Sequence, residues 1–318
     1  MRDCDVFIVA SRHSREVDGV IDGLRARRIQ VERFSPCQFP EFDLRTWRSE
    51  DPFEAFGRPR AAWLVDFSGW TVEKSLTGLA RETATAEAIA FVDGALLGLD
   101  ARWLNSPSAA RSAGRKLLQL QRAARLGIRT PRTCATNSEE VARRFVSDVG
   151  QAIVKPLASA YLNYGSKSVK FYTRDVGEAS ASVFAGLRTS PLIFQERIDK
   201  REELRVTVVD DWAVGVRVDL ARIDKPAPVD TRKLDYAEHR SLFSRCEDRS
   251  DLLYESRRIV SDLGLSYGGV DWAIDRNGEA YFLECNPMGS FKWFEMCSEA
   301  NITGRIVEAL EQRCGHTG

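Results

Sequence analysis

The stretch 281–295, which reads YFLECNPMGSFKWFE, constrains the fold of this chain more than any other. Its apolar start predicts a buried strand, and that strand ends with Glu284 and Asn286 at alternate positions. Residues i and i+2 of a strand share a face, so both polar side chains are expected to point the same way. An unpaired buried carboxylate is costly, so something must meet the charge of Glu284.

A second carboxylate is expected beside it. Asp271 lies in the apolar run GGVDWAI, and the Asn277-Gly278 pair between the two runs predicts a tight hairpin. Three oxygen-bearing side chains would then converge on one face, which is the ligand chemistry that hard cations such as magnesium prefer. The alternative is that Asp271 caps a turn while Glu284 pairs with one of the arginines.

Two lysines lie where phosphates could be bound. Lys116 lies on a predicted helix at 112–126, and Lys155 ends the apolar strand AIVKP. The loop after Lys155 contains Ser159 and Gly165, and loops of this kind can offer backbone N–H groups to an anion. The alternative is that each lysine only extends its ammonium group from the end of an element into solvent.

Further charged residues follow the run FQERI at 194–198. The backbone of this strand could meet an adenine, and the downstream Glu203 could hold a ribose. Arg205 and Arg232 could each stabilise a phosphoryl group or an acyl phosphate. The alternative for Glu203 and Arg205 is a salt bridge at the rim of the protein. The alternative for Arg232 is a solvated basic loop.

Composition excludes several classes of protein. Acidic and basic residues are equal, at 46 each, so no overall charge favours nucleic acid or a membrane surface. No apolar run is long enough to span a bilayer, and the start is unlike a signal peptide. The seven scattered cysteines predict neither disulfides nor a zinc site and favour the cytoplasm. Neither a P-loop nor a dinucleotide-binding glycine motif is present.

Taken together, these positions resemble the ATP-grasp superfamily of carboxylate ligases, and most of all its graspetide (microviridin-type) maturases of ribosomal peptides. The resemblance covers most of the chain, including WLNSPSAARSAGRKLLQLQ, the strand with Lys155, FQERI with EELRVTVV, and 263–295. It implies a mixed α/β and α+β ATP-grasp fold. The implied domains are an N-terminal pre-ATP-grasp domain at 1–107, a central subdomain at 108–197 and a C-terminal subdomain with the metal site at 198–318.

The resemblance also implies the ligands and their residues. ATP and Mg²⁺ are the expected cofactors. The residues implied for ATP are Lys116, Lys155, Ser159, Gly165, Gln195, Glu196, Arg197, Ile198 and Glu203. The residues implied for magnesium are Asp271, Glu284 and Asn286, and those implied for the reacting groups are Arg205 and Arg232. The chain departs from the family where Met288, Ser290 and Phe291 replace the usual Asn, Gln and Trp, and where Thr231 replaces Trp.

The activity implied is joining a side-chain carboxylate of a precursor peptide to a side-chain hydroxyl or amine, through an acyl phosphate. The precursor's leader is expected to dock on 218–249, because this segment carries mixed charge, prolines, Tyr236 and Phe243. A homodimer is expected. Two alternatives stay open. One is an ATP-grasp ligase that adds glutamate or joins free amino acids, and the other is a non-catalytic nucleotide-binding scaffold.

Overall fold

The computed structural model describes residues 4–12, 14–36, 46–51, 55–67, 72–73, 75–158, 161–164, 167–223, 228–235 and 237–315. Within these residues the helices and strands form three main sheets, each with helices packed against it. None of the described helices is both long enough and apolar enough to cross a membrane.

The first sheet is parallel and has the strand order β2-β1-β3-β4. Its strands are β1 (Val6–Val9), β2 (Val31–Phe34), β3 (Ala61–Leu64) and β4 (Arg102–Trp103), and its first helices are α1 (Arg15–Ala26) and α2 (Gly78–Leu97). The last helix of the chain, α9 (Ile302–Cys314), returns to this sheet and shares one apolar core with β1 and α1. The end of the chain therefore holds the first lobe in place.

A second, antiparallel sheet follows two short helices, α3 (Pro107–Ala113) and α4 (Lys116–Arg125). The strand order is β5-β10-β6-β9, formed by β5 (Thr133–Thr136), β6 (Ala152–Pro156), β9 (Arg174–Asp175) and β10 (Leu192–Glu196). The helices α5 (Glu139–Val149) and α6 (Val176–Gly186) belong to this lobe, and a separate hairpin joins β7 (Tyr161–Tyr164) to β8 (Lys167–Lys170). Ser138 caps α5, because its side chain accepts from Val141 N–H.

The third sheet is antiparallel, with the order β13-β12-β11-β14-β15. Its strands are β11 (Lys200–Val209), β12 (Trp212–Asp219), β13 (Phe243–Cys246), β14 (Tyr267–Asp275) and β15 (Ala280–Asn286). The helix α7 (Ser250–Asp262) covers one face, and the short α8 (Lys292–Ser298) follows β15. The Asn277-Gly278 turn joins β14 to β15 as predicted, with Gly278 at φ +84°.

The helix predicted at 112–126 is not continuous. It divides at Gly114 and Arg115, so Lys116 is the first residue of α4 rather than a residue within a helix. Gly114 ends α3 by donating its N–H to Ala110 O, and the extended backbone of Arg115 begins the next helix. The break brings Lys116 to a helix start beside the end of β15.

Candidate active site

Three charged side chains form a row across neighbouring strands of the third sheet. Arg205 on β11 pairs with Asp271 on β14, and Asp271 pairs with Glu284 on β15. Directly paired residues of neighbouring strands have their side chains on the same face. Because the alternate residues of β11 and β14 pack against α7, the row lies on the opposite face.

A bulge in β15 places Glu284 in this row. Asp271 pairs with Glu284 while Trp272 pairs with Phe282, so Leu283 is an extra residue in the ladder. Phe282 and Cys285 both pack in the core on the α7 side, although they are three positions apart. Regular alternation would put Phe282 and Glu284 on one face, so the bulge turns Glu284 away from the core.

Each carboxylate of the row meets a cation. The Arg205 guanidinium donates to Asp271 Oδ2 at 2.7 Å, and Lys116 Nζ donates to Glu284 Oε2 at 3.0 Å. The Asn286 amide lies between the two acids, with Nδ2 at 3.2 Å from Asp271 Oδ2 and 3.4 Å from Glu284 Oε1. The structure thus brings together all three residues predicted for a metal.

The two carboxyl groups have different proton affinities. Burial raises the pKa of Asp271, and the nearby Glu284 charge adds to this effect while Arg205 opposes it. Burial alone would raise the pKa of Glu284 as well, but Lys116 and Lys155 outweigh it and hold that pKa below its usual range. Two neighbouring acids of this kind favour a cation, because an added positive charge stabilises both in their ionised forms.

The donor set fits magnesium. Asp271 and Glu284 offer carboxylate oxygens, and the Asn286 side chain can present its carbonyl oxygen after a rotation of its amide. Among the described residues, no group of three or more His, Cys, Asp or Glu side chains could hold a metal. The candidate site therefore provides two carboxylates and one amide. Mg²⁺ is commonly bound by one or two carboxylates together with phosphates and water. Three protein ligands would leave its other coordination positions to phosphate oxygens and water.

Another positively charged side chain, that of Lys155, lies at the end of β6. Its Nζ donates to Gln195 Oε1 at 3.0 Å, and Gln195 Nε2 donates to Thr133 Oγ1 at 2.8 Å. Burial lowers the pKa of Lys155 to about 8, with Glu284 opposing the shift and Lys116 adding to it. A bound phosphate would supply the negative charge that a neutral amide lacks.

The guanidinium of Arg205 is held on three sides. Besides Asp271, it contacts Gly269 O at 3.2 Å and lies over the Phe294 ring, 5.1 Å from its centroid. A methyl group at Gly269 would lie 3.1 Å from Arg205 Nη1 and 3.2 Å from Cζ. Glycine at 269 therefore leaves the space that the guanidinium occupies.

The predicted adenine segment connects the second and third sheets. Glu196 donates its backbone N–H to Arg132 O at 2.9 Å, and Arg197 donates its backbone N–H to Gln151 O at 3.0 Å. The Arg197 side chain contacts Asp175, at 2.8 Å, so neither its charge nor these two backbone N–H groups are free for an adenine. Ile198 is half-buried beyond them.

The remaining predicted residues lie close to the start of β11. Glu203 accepts from Lys200 Nζ at 2.5 Å and from Thr231 Oγ1 at 2.6 Å. Arg232 donates twice to the buried Asp230, at 2.8 and 2.5 Å. The alternative of a salt bridge between Glu203 and Arg205 is therefore not what the structure shows, since Glu203 contacts a lysine and a threonine and Arg205 pairs with Asp271. Ser159 and Gly165 lie outside the described residues.

Two residues that hold these groups, Asp230 and Asn105, stand in motifs of the family but had no predicted role. Asp230 orients Arg232 and also accepts from Thr173 N–H at 3.0 Å. The buried Asn105 donates to Tyr267 O and Pro287 O, each at 2.8 Å, next to the turn after Asn286. The resemblance had included Asn105 only as a motif position. Only the folded chain shows what such a buried amide contacts.

Comparison with solved structures identifies proteins of the same fold. A RiPP-associated ATP-grasp ligase of Chryseobacterium gregarium, solved with ADP and a leader and core peptide, matches with a TM-score of 0.82 and 22% identity over 98% of this chain and 97% of that one. The macrocyclase MdnC of Microcystis aeruginosa, bound to the precursor peptide MdnA, matches with a TM-score of 0.80 and 22% identity over 96% and 99%.

A third structure is slightly closer in sequence. The ATP-grasp ligase PsnB, complexed with minimal precursor, Mg and ADP, matches with a TM-score of 0.76 and 25% identity over 99% of this chain and 100% of that one. No protein-family model matches the chain, and no curated protein matches it by sequence. The structural similarity confirms the predicted ATP-grasp fold, the resemblance to the peptide maturases and the prediction of a ligase.

The space at Gly269 leads to a prediction about Asp271. In Gly269→Ala the added methyl group should push the guanidinium of Arg205 away from the carboxylate. Since Arg205 favours the ionised acid, we expect the pKa of Asp271 to rise by roughly one unit or more in the ligand-free protein. A carboxyl ¹³C NMR titration, assigned with Asp271→Asn, would measure the shift. Gly186→Ala, where nothing lies within 4 Å of the added carbon, is the control. An unchanged pKa of Asp271 in Gly269→Ala would contradict the effect ascribed to the contact between Arg205 and Asp271.

Proposed function

We propose that this chain is an ATP-dependent peptide ligase that closes side-chain-to-side-chain rings in a ribosomally made precursor. The observation that carries the proposal is the row of Arg205, Asp271 and Glu284, joined by Asn286 and Lys116 on one face of the third sheet. In a fold shared with peptide ligases, this row supplies both the acids for a metal and the cations for transferred charge.

The nucleotide would bind between the second and third sheets. Lys116 and Lys155 would contact its phosphates, and the segment of Gln195, Glu196, Arg197 and Ile198 would lie along the adenine. Glu203 would accept from the ribose hydroxyls. Lys155 favours this arrangement, because its hydrogen bond within the described protein goes to a neutral amide. The β7–β8 hairpin follows Lys155 closely in the chain, which suits a cover over the phosphates.

Magnesium would be held by Asp271, Glu284 and Asn286, where it would neutralise charge on the phosphates and orient them. In the ligand-free protein Arg205 and Lys116 balance the same two acids. Lys116 and Arg205, which pair with the two acids here, would thus already lie next to the phosphates of a bound nucleotide.

The reaction would proceed in two steps. A side-chain carboxylate of the precursor attacks the γ-phosphorus of ATP, and the bond from that phosphorus to the bridging oxygen breaks, which gives an acyl phosphate and ADP. A side-chain hydroxyl or amine then attacks the acyl carbon, loses its proton and expels phosphate. Arg205 and Arg232 would stabilise the negative charge on the transferred group. Asp230 would keep Arg232 in place through its two contacts.

Three further assignments follow from this proposal. We place the domain boundaries after residues 107 and 197, although α9 packs with the first lobe. We place the protein in the cytoplasm, where ATP is available and where the free thiols of the described cysteines would stay reduced. The partner is a precursor peptide, as in the MdnC structure, with a leader and a core, as in the Chryseobacterium structure.

The central prediction concerns candidate precursor peptides, incubated with the protein, ATP and magnesium. Each ring closed should lower the peptide mass by one water, with ADP formed in parallel, as mass spectrometry and an ADP assay would record. Asp271→Asn and Glu284→Gln should lower the rate by roughly a hundredfold or more, because each removes a carboxylate of the metal site. Glu140→Gln, on the exposed face of α5, is the matched control.

Two results would contradict the proposal. Ligation of free amino acids with no change in any precursor would favour the amino-acid ligase. Absence of substrate-stimulated ADP formation in the wild-type protein would favour the non-catalytic scaffold.

The leader is proposed to dock on 218–249. Phe243 is buried against Trp293, so it supports this segment rather than offering a contact, and Tyr236 lies outside the described residues. Among the described strands, β13 is the outermost of its sheet, with the exposed Arg245 on it and the exposed Glu247 just after it. Reversing both charges should weaken precursor binding roughly tenfold and leave ATP binding unchanged, as calorimetry would measure. The same reversal at Glu140 and Arg144 is the control, and equal loss of both ligands would contradict the assignment.

A homodimer is proposed through the outward face of α2. Leu79 and Leu97 are 78% and 50% exposed there, and the exposed Ala86, Ala90 and Gly94 lie between them. Gly94 has nothing within 4 Å of the position its Cβ would take, so a second helix could approach closely. Light scattering should give twice the chain mass for the wild type and a lower mass for Gly94→Arg. A single-chain mass for the wild type would exclude this dimer.

A further inference from the structure

The strand that carries Glu284 and Asn286 is at an edge of its sheet. Among the described strands, in the order β13-β12-β11-β14-β15, only β14 lies beside β15, and on its outward side Phe282 N–H donates to Arg129 O at 2.9 Å. The outward backbone groups of an edge strand need partners when they are buried. Cys285, between the two proposed metal ligands, is 1% exposed, so its backbone needs a partner within the protein.

That partner is Gln119 on α4. Its Oε1 accepts from Cys285 N–H at 2.9 Å, and its Nε2 donates to Cys285 O at 2.7 Å and to Ala113 O at 2.6 Å. The side chain is 3% exposed. Both N–H groups of the amide and its oxygen are used, so only one orientation of the amide fits. The side chain therefore contacts Cys285 as a neighbouring strand would.

The same helix turn also contacts the neighbouring residue of β15. Lys116 is three residues before Gln119, and its Nζ lies 3.0 Å from Glu284 Oε2. Residues three apart lie on one face of a helix, so both contacts set the position of α4 along β15. Gln119 holds the backbone at 285 while Lys116 holds the side chain at 284.

The bulge makes this contact important. Leu283 is the extra residue of the ladder, and the contact with Gln119 comes two positions later. An edge strand with an extra residue can shift its register, and a shift of one residue moves every side chain to the other face. Loss of the bulge would turn Glu284 and Asn286 to the core and Cys285 to the site.

We propose that Gln119 is a positioning residue that holds β15 in the bulged register and thereby directs Glu284 and Asn286 to the metal. The inference rests on the proposed function for the identity of the ligand, and on the hydrogen bonds alone for the register. If Gln119 only stabilised the fold, its loss would not change the affinity for the metal. As a positioning residue, it should affect that affinity.

The test compares two variants with a structural control. Gln119→Met keeps the length of the side chain and removes its polar atoms, and the milder Gln119→Asn keeps the amide but shortens its reach. Ser256→Ala removes the buried hydrogen bond from Trp272 Nε1, which is 2.9 Å long and lies on the α7 face of the same sheet. All three lose buried hydrogen bonds, but only the first two should affect the site.

Two measurements distinguish a role of Gln119 in positioning the metal ligands from a purely structural role. In the protein without nucleotide, hydrogen exchange of a peptide covering 281–289 should speed up in both Gln119 variants and stay as in the wild type in Ser256→Ala. In calorimetry of ADP binding at a series of Mg²⁺ concentrations, the Gln119 variants should need roughly tenfold more Mg²⁺ for half-saturation, because partners behind a metal ligand commonly contribute that much to affinity.

The inference is overturned if the Mg²⁺ requirement of both Gln119 variants equals that of the wild type, or if Ser256→Ala raises it as much. Should Gln119→Met fail to fold, Gln119→Asn carries the same comparison. Failure of the proposed function would look different, since the wild-type protein would then bind no ADP at any Mg²⁺ concentration.

Discussion

The candidate site depends on one irregularity, the extra residue in β15. A regular strand would place Glu284 on the same side as Phe282, in a core that also holds Trp272. A carboxylate there would lose its hydration without gaining a cation. The bulge instead lets Phe282 and Cys285 both fill the core while Glu284 faces Asp271. Core packing and site geometry are thus satisfied by the same distortion.

In the resulting row each acid is paired with a cation, and these pairs can be exchanged for others. Asp271 and Glu284 each meet one cation, and the cations come from different elements, Arg205 from β11 and Lys116 from α4. Removing one partner of a buried pair is far more costly than exchanging it for another charge. A metal and a triphosphate could therefore replace these pairs with new ones, the acids turning to the metal and the cations to the phosphates.

Much of this site was predictable from residue types and spacing. Asp271, Glu284 and Asn286 are oxygen-bearing residues on two strands joined by an Asn-Gly turn, and the structure brings them together. The bulge was not predictable, because alternation in YFLECN also suits a regular strand with Phe282 and Glu284 on one face. The role of Gln119 was hidden for a related reason. A glutamine within a helix gives no sign that it will pair with a strand far away in the sequence.

The turn after Asn286 shows why departures from the family pattern need not disturb the site. Two contacts hold its backbone, since Asn105 and the Tyr267 hydroxyl donate to the carbonyl groups of Pro287 and Gly289. Glu16 of the first helix accepts from two backbone N–H groups farther along, at residues 291 and 292, each at 3.2 Å. Ser290 adds a side-chain contact, because its hydroxyl also donates to Glu16, whereas Met288 is 39% exposed and can vary while the backbone stays in place. Gly289 is different, because a methyl group there would lie 3.2 Å from both Cβ and the carbonyl oxygen of Asn286. The proposed metal site therefore depends on the conformation of this turn and on the contact from Ser290 to Glu16 that helps to hold it.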